Sequence, residues 1–401
     1  MELEMGKGAQ SCEICGSTTL IEAFDMGHQA LCDDLIPIGS RETNKTYPLK
    51  ILGCETCYSF VQSYHVKKEI LFPESYHYRA ALTKDVLNGM AELVGQVETY
   101  LDGLTDKTVL DIGCNDGSLL SFFKQRGAVT HGIEPTHAAL DADAKTDWIY
   151  KGYFDASAVE TYLANHPKPD IITFTNVFAH IENLPELLDN LGKLLGDDTK
   201  LVIENHYMGA VSEHRQFDTF YHEHPRTYSA KAFQIIAEKL SRYVEAVVFP
   251  KRYNGNIRVI IGNKKGLRDW LTDEKPMFEA LVNFQPEMKK ACSRVQEKLR
   301  SLAAKYGPLP GKAFPGRAAV NIHLFGITRD IVDCTYEQSK SPKIGHYVPG
   351  TRIEIRDENE FFEFRMDSPV MINFAWHIHA EIENYMRGRG YQGELVKAWI
   401  E

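Results

Sequence analysis

The chain has 401 residues, 43% of them hydrophobic and 25% charged, with a formal net charge of -10 at pH 7. That length exceeds one ordinary domain, so two or three are expected. The acid excess argues against a general nucleic-acid binder, no apolar run is long enough to span a bilayer, and the start MELEMGKGAQ lacks the apolar core of a secretory signal; the expected setting is cytoplasmic, with no membrane or nucleic-acid partner.

Two cysteine knuckles come first, Cys12-x-x-Cys15 and Cys54-x-x-Cys57. Each can supply two corners of a tetrahedron, so together they satisfy zinc with four thiolates. Four closed ligands leave no open position, which makes such a zinc structural. Cys32, Cys114, Cys292 and Cys334 are scattered and read as ordinary core or surface thiols. Residues 1–75 therefore form a small zinc-stapled domain, with short strands at 49–52 and 59–62. An aromatic linker follows. Tyr76 and Tyr78 share one face of an extended segment, either packed in a core or offered to a ligand.

Val86, Met90, Leu93, Val97 and Leu101 then recur at helical spacing. From 108 to 265 strands alternate with helices, with strands at 109–112, 129–133, 171–175 and 201–204, and a helix marked by Leu184, Leu187, Leu191 and Leu194. Such alternation implies a parallel sheet with covering helices, assigned here to residues 76–270. A long helix over 275–305 ends at Tyr306-Gly307-Pro308. Further α/β character, including Val370 to Trp376, makes 271–401 a third domain.

The sequence VLDIGCNDG, residues 109–117, reads as a buried strand, a glycine turn and the start of a helix. Gly113 and Gly117 let the backbone approach a ligand where a Cβ would collide. Asp111 lies at the strand end, and Glu134 closes the next strand roughly 20 residues on, where an acid meets the hydroxyls of an adenosine ribose. A dinucleotide turn would need G-x-G-x-x-G around a pyrophosphate. Here the middle glycine is missing and Asp116 would repel a phosphate, which turns the reading from NAD toward S-adenosylmethionine, whose centre is cationic. Asp111, Gly113, Asn115, Gly117, Glu134 and Asn176 are the expected cofactor contacts.

The second cluster is Phe217-Asp-Thr-Phe-Tyr221-His222-Glu223-His224-Pro225, after the strand 201–204. In an extended segment Tyr221 and Glu223 face one way, and His222 and His224 the other; Pro225 favours that backbone at His224. A histidine can remove an activated proton, a carboxylate can orient it, and a phenol can donate to a developing oxyanion. A polar surface loop and a metal site at His222 and His224 are the competing readings. His180, just past a strand, is either a packing residue or a member of the site.

Taken in order, CxxC…CxxC, Tyr-x-Tyr, LDIGCNDG, Asn-x-x-x-His-Ile, Tyr-x-Glu-His and a C-terminal α/β region, the chain resembles the sugar C-methyltransferases that act on nucleotide-linked 4-keto deoxysugars. The resemblance implies a class I Rossmann-like S-adenosylmethionine-dependent methyltransferase core, flanked by a small N-terminal zinc-binding domain and a C-terminal Rossmann-like α/β domain that contributes to nucleotide-sugar binding. It implies that Tyr76, His180, Tyr221, Glu223 and His224 line the reacting centre, with His224 as base. Tyr78, Glu204, Asn205, Tyr207, Arg258, Lys343 and Tyr347 become substrate contacts, the last two within Lys343-Ile-Gly345-His-Tyr347-Val-Pro349-Gly350-Thr351, which is similar to the family's K-x-G-x-x-x-P-G-T. Two segments depart. Phe314-Pro-Gly-Arg-Ala-Ala319 stands for the family's Tyr-Gly-Ala-Ser-Ala-Lys, and Tyr253-Asn-Gly-Asn-Ile-Arg258 for its His-Gly-Gly-Ser-x-Arg. They leave the sugar and carrier open, with dTDP favoured.

The chemistry follows from need. Carbon methylation requires a carbanion, and a neighbouring ketone allows one by taking the electrons onto oxygen as an enolate. His224 would take the C-3 proton with Glu223 behind it, and a phenol or His180 would stabilise the enolate. No metal is required at the reacting centre. The expected assembly is a monomer or weak homodimer. An O- or N-methyltransferase and a non-catalytic nucleotide-binding scaffold are the alternatives.

Overall fold

The computed structural model describes residues 10–251, 255–266 and 273–400, and in it the alternating pattern after residue 108 becomes a seven-stranded sheet. The strand order is Tyr243–Val248, Asn256–Gly262, Lys200–His206, Ile171–Thr175, Thr108–Ile112, Val129–Glu134, Trp148–Lys151. Asn256–Gly262 runs antiparallel to both its neighbours, and the remaining strands are parallel. The chain starts at Thr108–Ile112, moves outward twice, then returns to lay Ile171–Thr175 on the other side. That reversal opens a crevice at the carboxyl ends of the two central strands, the usual ligand position in an open α/β sheet. This is a doubly wound Rossmann-like sheet with one antiparallel strand near its edge.

Alternation along the strands explains why both faces are covered. Val109, Ile171, Val202 and Ile260 pack with Val86, Met90, Leu93 and Val97 of the helix Lys84–Leu101. Leu110, Ile112, Phe174 and Ile203 point the other way, onto Leu184, Leu187, Leu191 and Leu194 of the helix Leu184–Leu194. Asn183 caps that helix by accepting from the Glu186 N–H.

Contacts divide the chain into two units that interleave its segments. The first takes Met1–Ile21, Gly53–Arg215 and Glu223–Glu279; the second takes Glu22–Leu52, Gln216–His222 and Ala280–Glu401. These differ from the sequence boundaries 1–75, 76–270 and 271–401, because the middle of the N-terminal segment pairs with strands about 300 residues later, a loop whose closure entropy grows only slowly with length. In the second unit Ile36–Pro37 is the edge strand of a seven-stranded sheet, antiparallel to His346–Tyr347. That sheet continues through Glu354–Asp357, Val332–Glu337, Leu309–Lys312, Val370–Asn373 and Glu394–Lys397, which are mutually parallel. It has its own order reversal beside Leu309–Lys312, as a Rossmann-like sheet should. The helix expected over 275–305 is two, Lys275–Val282 and Gln285–Tyr306. Pro286 opens the second, because proline fits a first turn and cannot continue a preceding one. Among the described residues no helix is long and apolar enough to cross a membrane.

Buried imidazoles give this fold an acid limit. His131, against Tyr162, Trp148 and His166 in the first unit, is pushed down to about 4 by burial and then by its neighbour His166. In the second unit burial holds His222 at about 4 as well. The unfolded chain protonates these rings near pH 6.5, so their contribution is complete above that value and is lost as pH falls from 6.5 toward 4. The thermal midpoint is expected to drop by several degrees between pH 7 and pH 5, and less steeply in His131→Gln. A variant with the same pH slope as the parent would remove His131 from this account.

Candidate active site

The turn after Thr108–Ile112 is built around two glycines. Gly113 has φ +70°, and a Cβ there would stand 2.7 Å from both Val177 methyl carbons. Gly117 has φ +73° and packs against Ala142. The turn is bonded to the end of the neighbouring strand: the Gly113 N–H donates to the Ile133 carbonyl at 2.8 Å, and the Asn115 N–H to Glu134 Oε2 at 2.9 Å. Glu134 Oε1 accepts from the N–H and hydroxyl of Thr136. Among the described residues three hydrogen bonds therefore fall on this carboxylate, which has about four acceptor positions. Asp111 is buried, accepts from the Thr173 hydroxyl at 2.7 Å, and is pushed up to about 7 by burial, with the Glu134 charge adding to the effect.

Asp116 has a different place from the one inferred for it. Its Oδ1 accepts from the N–H and hydroxyl of Ser118, and its Oδ2 from the Ala81 N–H. The carboxylate satisfies the start of the helix Ser118–Lys124 and the linker and does not face a ligand as a free charge. An acid at a helix start has that use in any fold. The linker is pinned a second time, because the Ala80 N–H donates to Asn115 Oδ1 and Asn115 Nδ2 donates to the Tyr78 carbonyl. Tyr78 itself is exposed. Asn176 adopts φ +54° and its Oδ1 accepts from Asn256 Nδ2 at 3.4 Å.

The first unit also gathers three histidines. The His180 and His224 rings lie 4.8 Å apart between centroids, and the His206 and His224 rings 5.2 Å. Burial, reinforced by the adjacent His224, pushes His180 well below its ordinary value, so it stays neutral at neutral pH. The Tyr76 hydroxyl donates to Glu223 Oε2 at 3.4 Å. His206 escaped the sequence reading because the strand was ended at residue 204. Extending it to His206 puts that residue on the face of Glu204, which strand alternation could have shown.

The segment 221–223 is a bend and turn, not an extended strand, so the expected alternation of faces does not apply. His222 is buried and its ring nitrogen sits 3.3 Å from the Tyr47 carbonyl, within the second unit. The only metal-like grouping of His, Cys, Asp and Glu among the described residues is the four cysteines, so a His222–His224 metal site is not formed. Tyr221 belongs to the second unit; Glu223 and His224 belong to the first.

Glu204 and Arg258 face each other on paired strands, both fully buried, with Arg258 Nε donating to Glu204 Oε2 at 2.6 Å. Each is the other's counter-ion inside the sheet. Asn205 is buried, with neither amide atom hydrogen-bonded among the described residues, so a donor and an acceptor are available to a polar ligand. Tyr207 packs on Phe249. In the second unit Lys343 Nζ donates to the Phe314 carbonyl and lies near Asp33, and the Tyr347 hydroxyl accepts from the Gly39 N–H. Of the segment that ends at Arg258, Tyr253 and Asn254 lie outside the described residues.

The zinc knuckles close in the same way. The Gly16 N–H returns to the Cys12 carbonyl and the Tyr58 N–H to the Cys54 carbonyl. The four sulfurs lie within 4.8 Å of one another, with Cys12–Cys57 at 3.6 Å and Cys15–Cys54 at 3.5 Å. A tetrahedron with Zn–S bonds near 2.3 Å has edges of about 3.8 Å, so the set fits a structural zinc.

Three family models match in series: one described as "Putative zinc binding domain" over residues 12–72, one as a methyltransferase domain over 82–240, and one as a C-methyltransferase C-terminal domain over 264–397. The C-methyltransferase NovU of Streptomyces niveus is 24% identical over 387 residues, covering 92% of this chain and 90% of that protein. A ubiquinone biosynthesis O-methyltransferase of Haemophilus ducreyi is 30% identical over 115 residues, 27% of this chain and 48% of its own length. Among solved structures, magnesium protoporphyrin IX methyltransferase ChlM from Synechocystis, with bound SAH, aligns with 47% of this chain and 90% of its own, at 15% identity and TM-score 0.37.

The glycine turn can be tested directly. Gly113→Ala combines a strained φ with a steric clash, and should lower stability by about 1–3 kcal/mol in denaturant titrations. Adding Val177→Ala should recover the steric share and leave the backbone share. Unaltered stability in the single variant would contradict the close approach.

Proposed function

We propose that this chain, which matches models of a zinc-binding domain and a C-methyltransferase C-terminal domain and resembles a C-methyltransferase along 92% of its length, methylates C-3 of a nucleotide-linked 4-keto deoxysugar, with dTDP as carrier and His224 as base. The observation that carries this reading is the grouping of His224 with a neutral His180 and with His206, in the unit that holds the glycine turn.

When bound, S-adenosylmethionine supplies an electrophilic methyl group on a sulfonium; Asp111, Gly113, Asn115, Gly117, Glu134 and Asn176 are the residues to hold it. His224 removes the C-3 proton while the electron pair moves into the neighbouring carbonyl as an enolate. Glu223, hydrogen-bonded by Tyr76, orients the base and balances its charge. His180, kept neutral, can donate to the enolate oxygen without competing for the proton. Tyr78, Glu204, Asn205, Tyr207 and Arg258, all in the first unit, are assigned to substrate recognition, Asn205 through its two available amide atoms. The enzyme works in the cytoplasm as a monomer or weak homodimer in this reading.

Incubation with a dTDP-linked 4-keto deoxysugar in deuterated water should exchange the C-3 hydrogen without methyl donor. His224→Asn should slow both exchange and methylation by about 100-fold or more. Methylation without exchange, or on oxygen, would overturn the reading. Asp111 gives an independent test. Held at about 7 by burial, it is partly protonated at neutral pH, and the cationic amino group of S-adenosylhomocysteine favours its ionised form. Affinity measured by calorimetry should therefore rise from pH 6 to pH 8 and flatten in Asp111→Asn; a flat parent profile would remove Asp111 from the cofactor contacts.

A further inference from the structure

One buried cation, Arg226, is bonded to three parts of the first unit. Its side chain is almost wholly excluded from solvent. Nε donates to the Tyr228 hydroxyl at 3.1 Å, Nη1 to the Glu13 carboxylate and, at 3.2 Å, to the Glu182 carbonyl, and Nη2 to the Ile181 carbonyl. Glu13 lies inside the first zinc knuckle, between Cys12 and Cys15. Ile181 and Glu182 directly follow His180, and Arg226 itself stands just beyond His224 and Pro225.

The second knuckle reaches the same place by another route. Strand Phe60–Gln62, which follows Cys57, pairs antiparallel with Arg226–Thr227. Gln62 Nε2 donates to the His224 carbonyl at 2.8 Å, and the Gln62 N–H to the Pro225 carbonyl at 2.8 Å. The Ser229 hydroxyl donates to the Cys57 carbonyl. Both histidines whose rings sit 4.8 Å apart are thus tied through main chain to the zinc knuckles.

We propose that Arg226 is a positioning residue that couples the Glu13 knuckle to His180 and His224, so that the zinc module sets the spacing of the two rings. The proposal rests on the reading of His224 as base. A guanidinium suits the task because its donors lie in one plane at fixed angles, so a carboxylate and two successive carbonyls are held in register. A lysine would keep the charge and lose that fork. With the fork gone, the Ile181 carbonyl would be a buried acceptor that has lost its guanidinium donor, which the loop can relieve by moving. Displacement of a catalytic group by about 1 Å is enough to cost about 100-fold in rate.

The test uses the zinc-loaded full chain with Arg226→Lys and Glu13→Gln, a dTDP-linked 4-keto deoxysugar, and exchange of its C-3 hydrogen in deuterated water. Zinc content, thermal midpoint and S-adenosylhomocysteine affinity are measured on the same samples. Arg226→Lys is expected to keep one zinc and cofactor affinity within about twofold, while exchange and kcat fall by about 100-fold with little change in KM. The apparent pKa of the exchange–pH profile should move as well, because the two imidazoles no longer share one geometry. Glu13→Gln keeps a neutral acceptor at the same place and should lower exchange by about tenfold; it also serves if Arg226→Lys does not fold. Exchange and pH profile at parent levels in a folded, zinc-loaded variant would overturn the coupling. A parent protein that does not exchange the C-3 hydrogen would instead overturn the base assignment, so the two failures are distinguishable.

Discussion

The turn after the first sheet strand has room for a hydrogen at Gly113 and nothing larger, and much of the first unit is organised by that constraint. Val177 occupies the space a side chain would need. The turn can then lie close enough to the next strand for its N–H groups to reach the Ile133 carbonyl and the Glu134 carboxylate. Those bonds fix Glu134 relative to Asp111. Asn115, at φ +51°, adopts the left-handed conformation that asparagine tolerates better than most residues. Its side chain holds Ala80 and Tyr78. One set of hydrogen bonds thus orders the glycine turn and the linker that carries Tyr76.

The cysteine cluster solves a different problem. The two knuckles are short, and their four sulfurs are grouped as a structural metal would require. Between the knuckles the chain leaves: Glu22–Leu52 belongs to the second unit, while Met1–Ile21 and the residues from Gly53 belong to the first. A metal joining Cys12 and Cys15 to Cys54 and Cys57 therefore fixes the points where the chain departs and returns. A closed tetrahedral site with no exchangeable position suits that role.

Legibility in the sequence followed the range of the interactions. The central strands could be read because burial on both faces demands runs such as Val109 to Ile112, and the knuckles because a metal dictates spacing. The grouping of Tyr76, His180, Glu223 and His224 could be anticipated from a motif series that resembles a known family. Features set by distant or ambiguous partners could not. Ile36–Pro37 carries no local sign that it will pair with His346–Tyr347. Asp116 was ambiguous because an acid at a helix start serves equally as a cap and as a ligand contact, and here Ser118 and Ala81 decide it. Glu204 was legible as the end of a strand and Arg258 only through the segment it closes in the family pattern, but their mutual pairing depends on the antiparallel placement of Asn256–Gly262. Arg226 gave no signal, since its partners lie in three separate stretches of chain.

The motif from Phe217 to Pro225 is itself divided, and the division explains a segment that departs from the family pattern. Asp218 is fully buried in the second unit. Its carboxylate accepts from Arg317 Nε at 2.9 Å and again from Nη2, from Asn321 Nδ2 at 3.1 Å, and from Trp376 Nε1 at 2.7 Å. Phe217 stacks on Trp399, which stacks on Trp376. Arg317 lies in the stretch Phe314 to Ala319, where a glycine turn of the family's form would have been expected. A small residue at Arg317 would leave a buried carboxylate without its counter-ion, a loss on the order of 3–5 kcal/mol for a buried pair. The departure is therefore accompanied by a chemical role in anchoring Gln216–His222. Chain continuity passes that order directly to Tyr221, within the same unit.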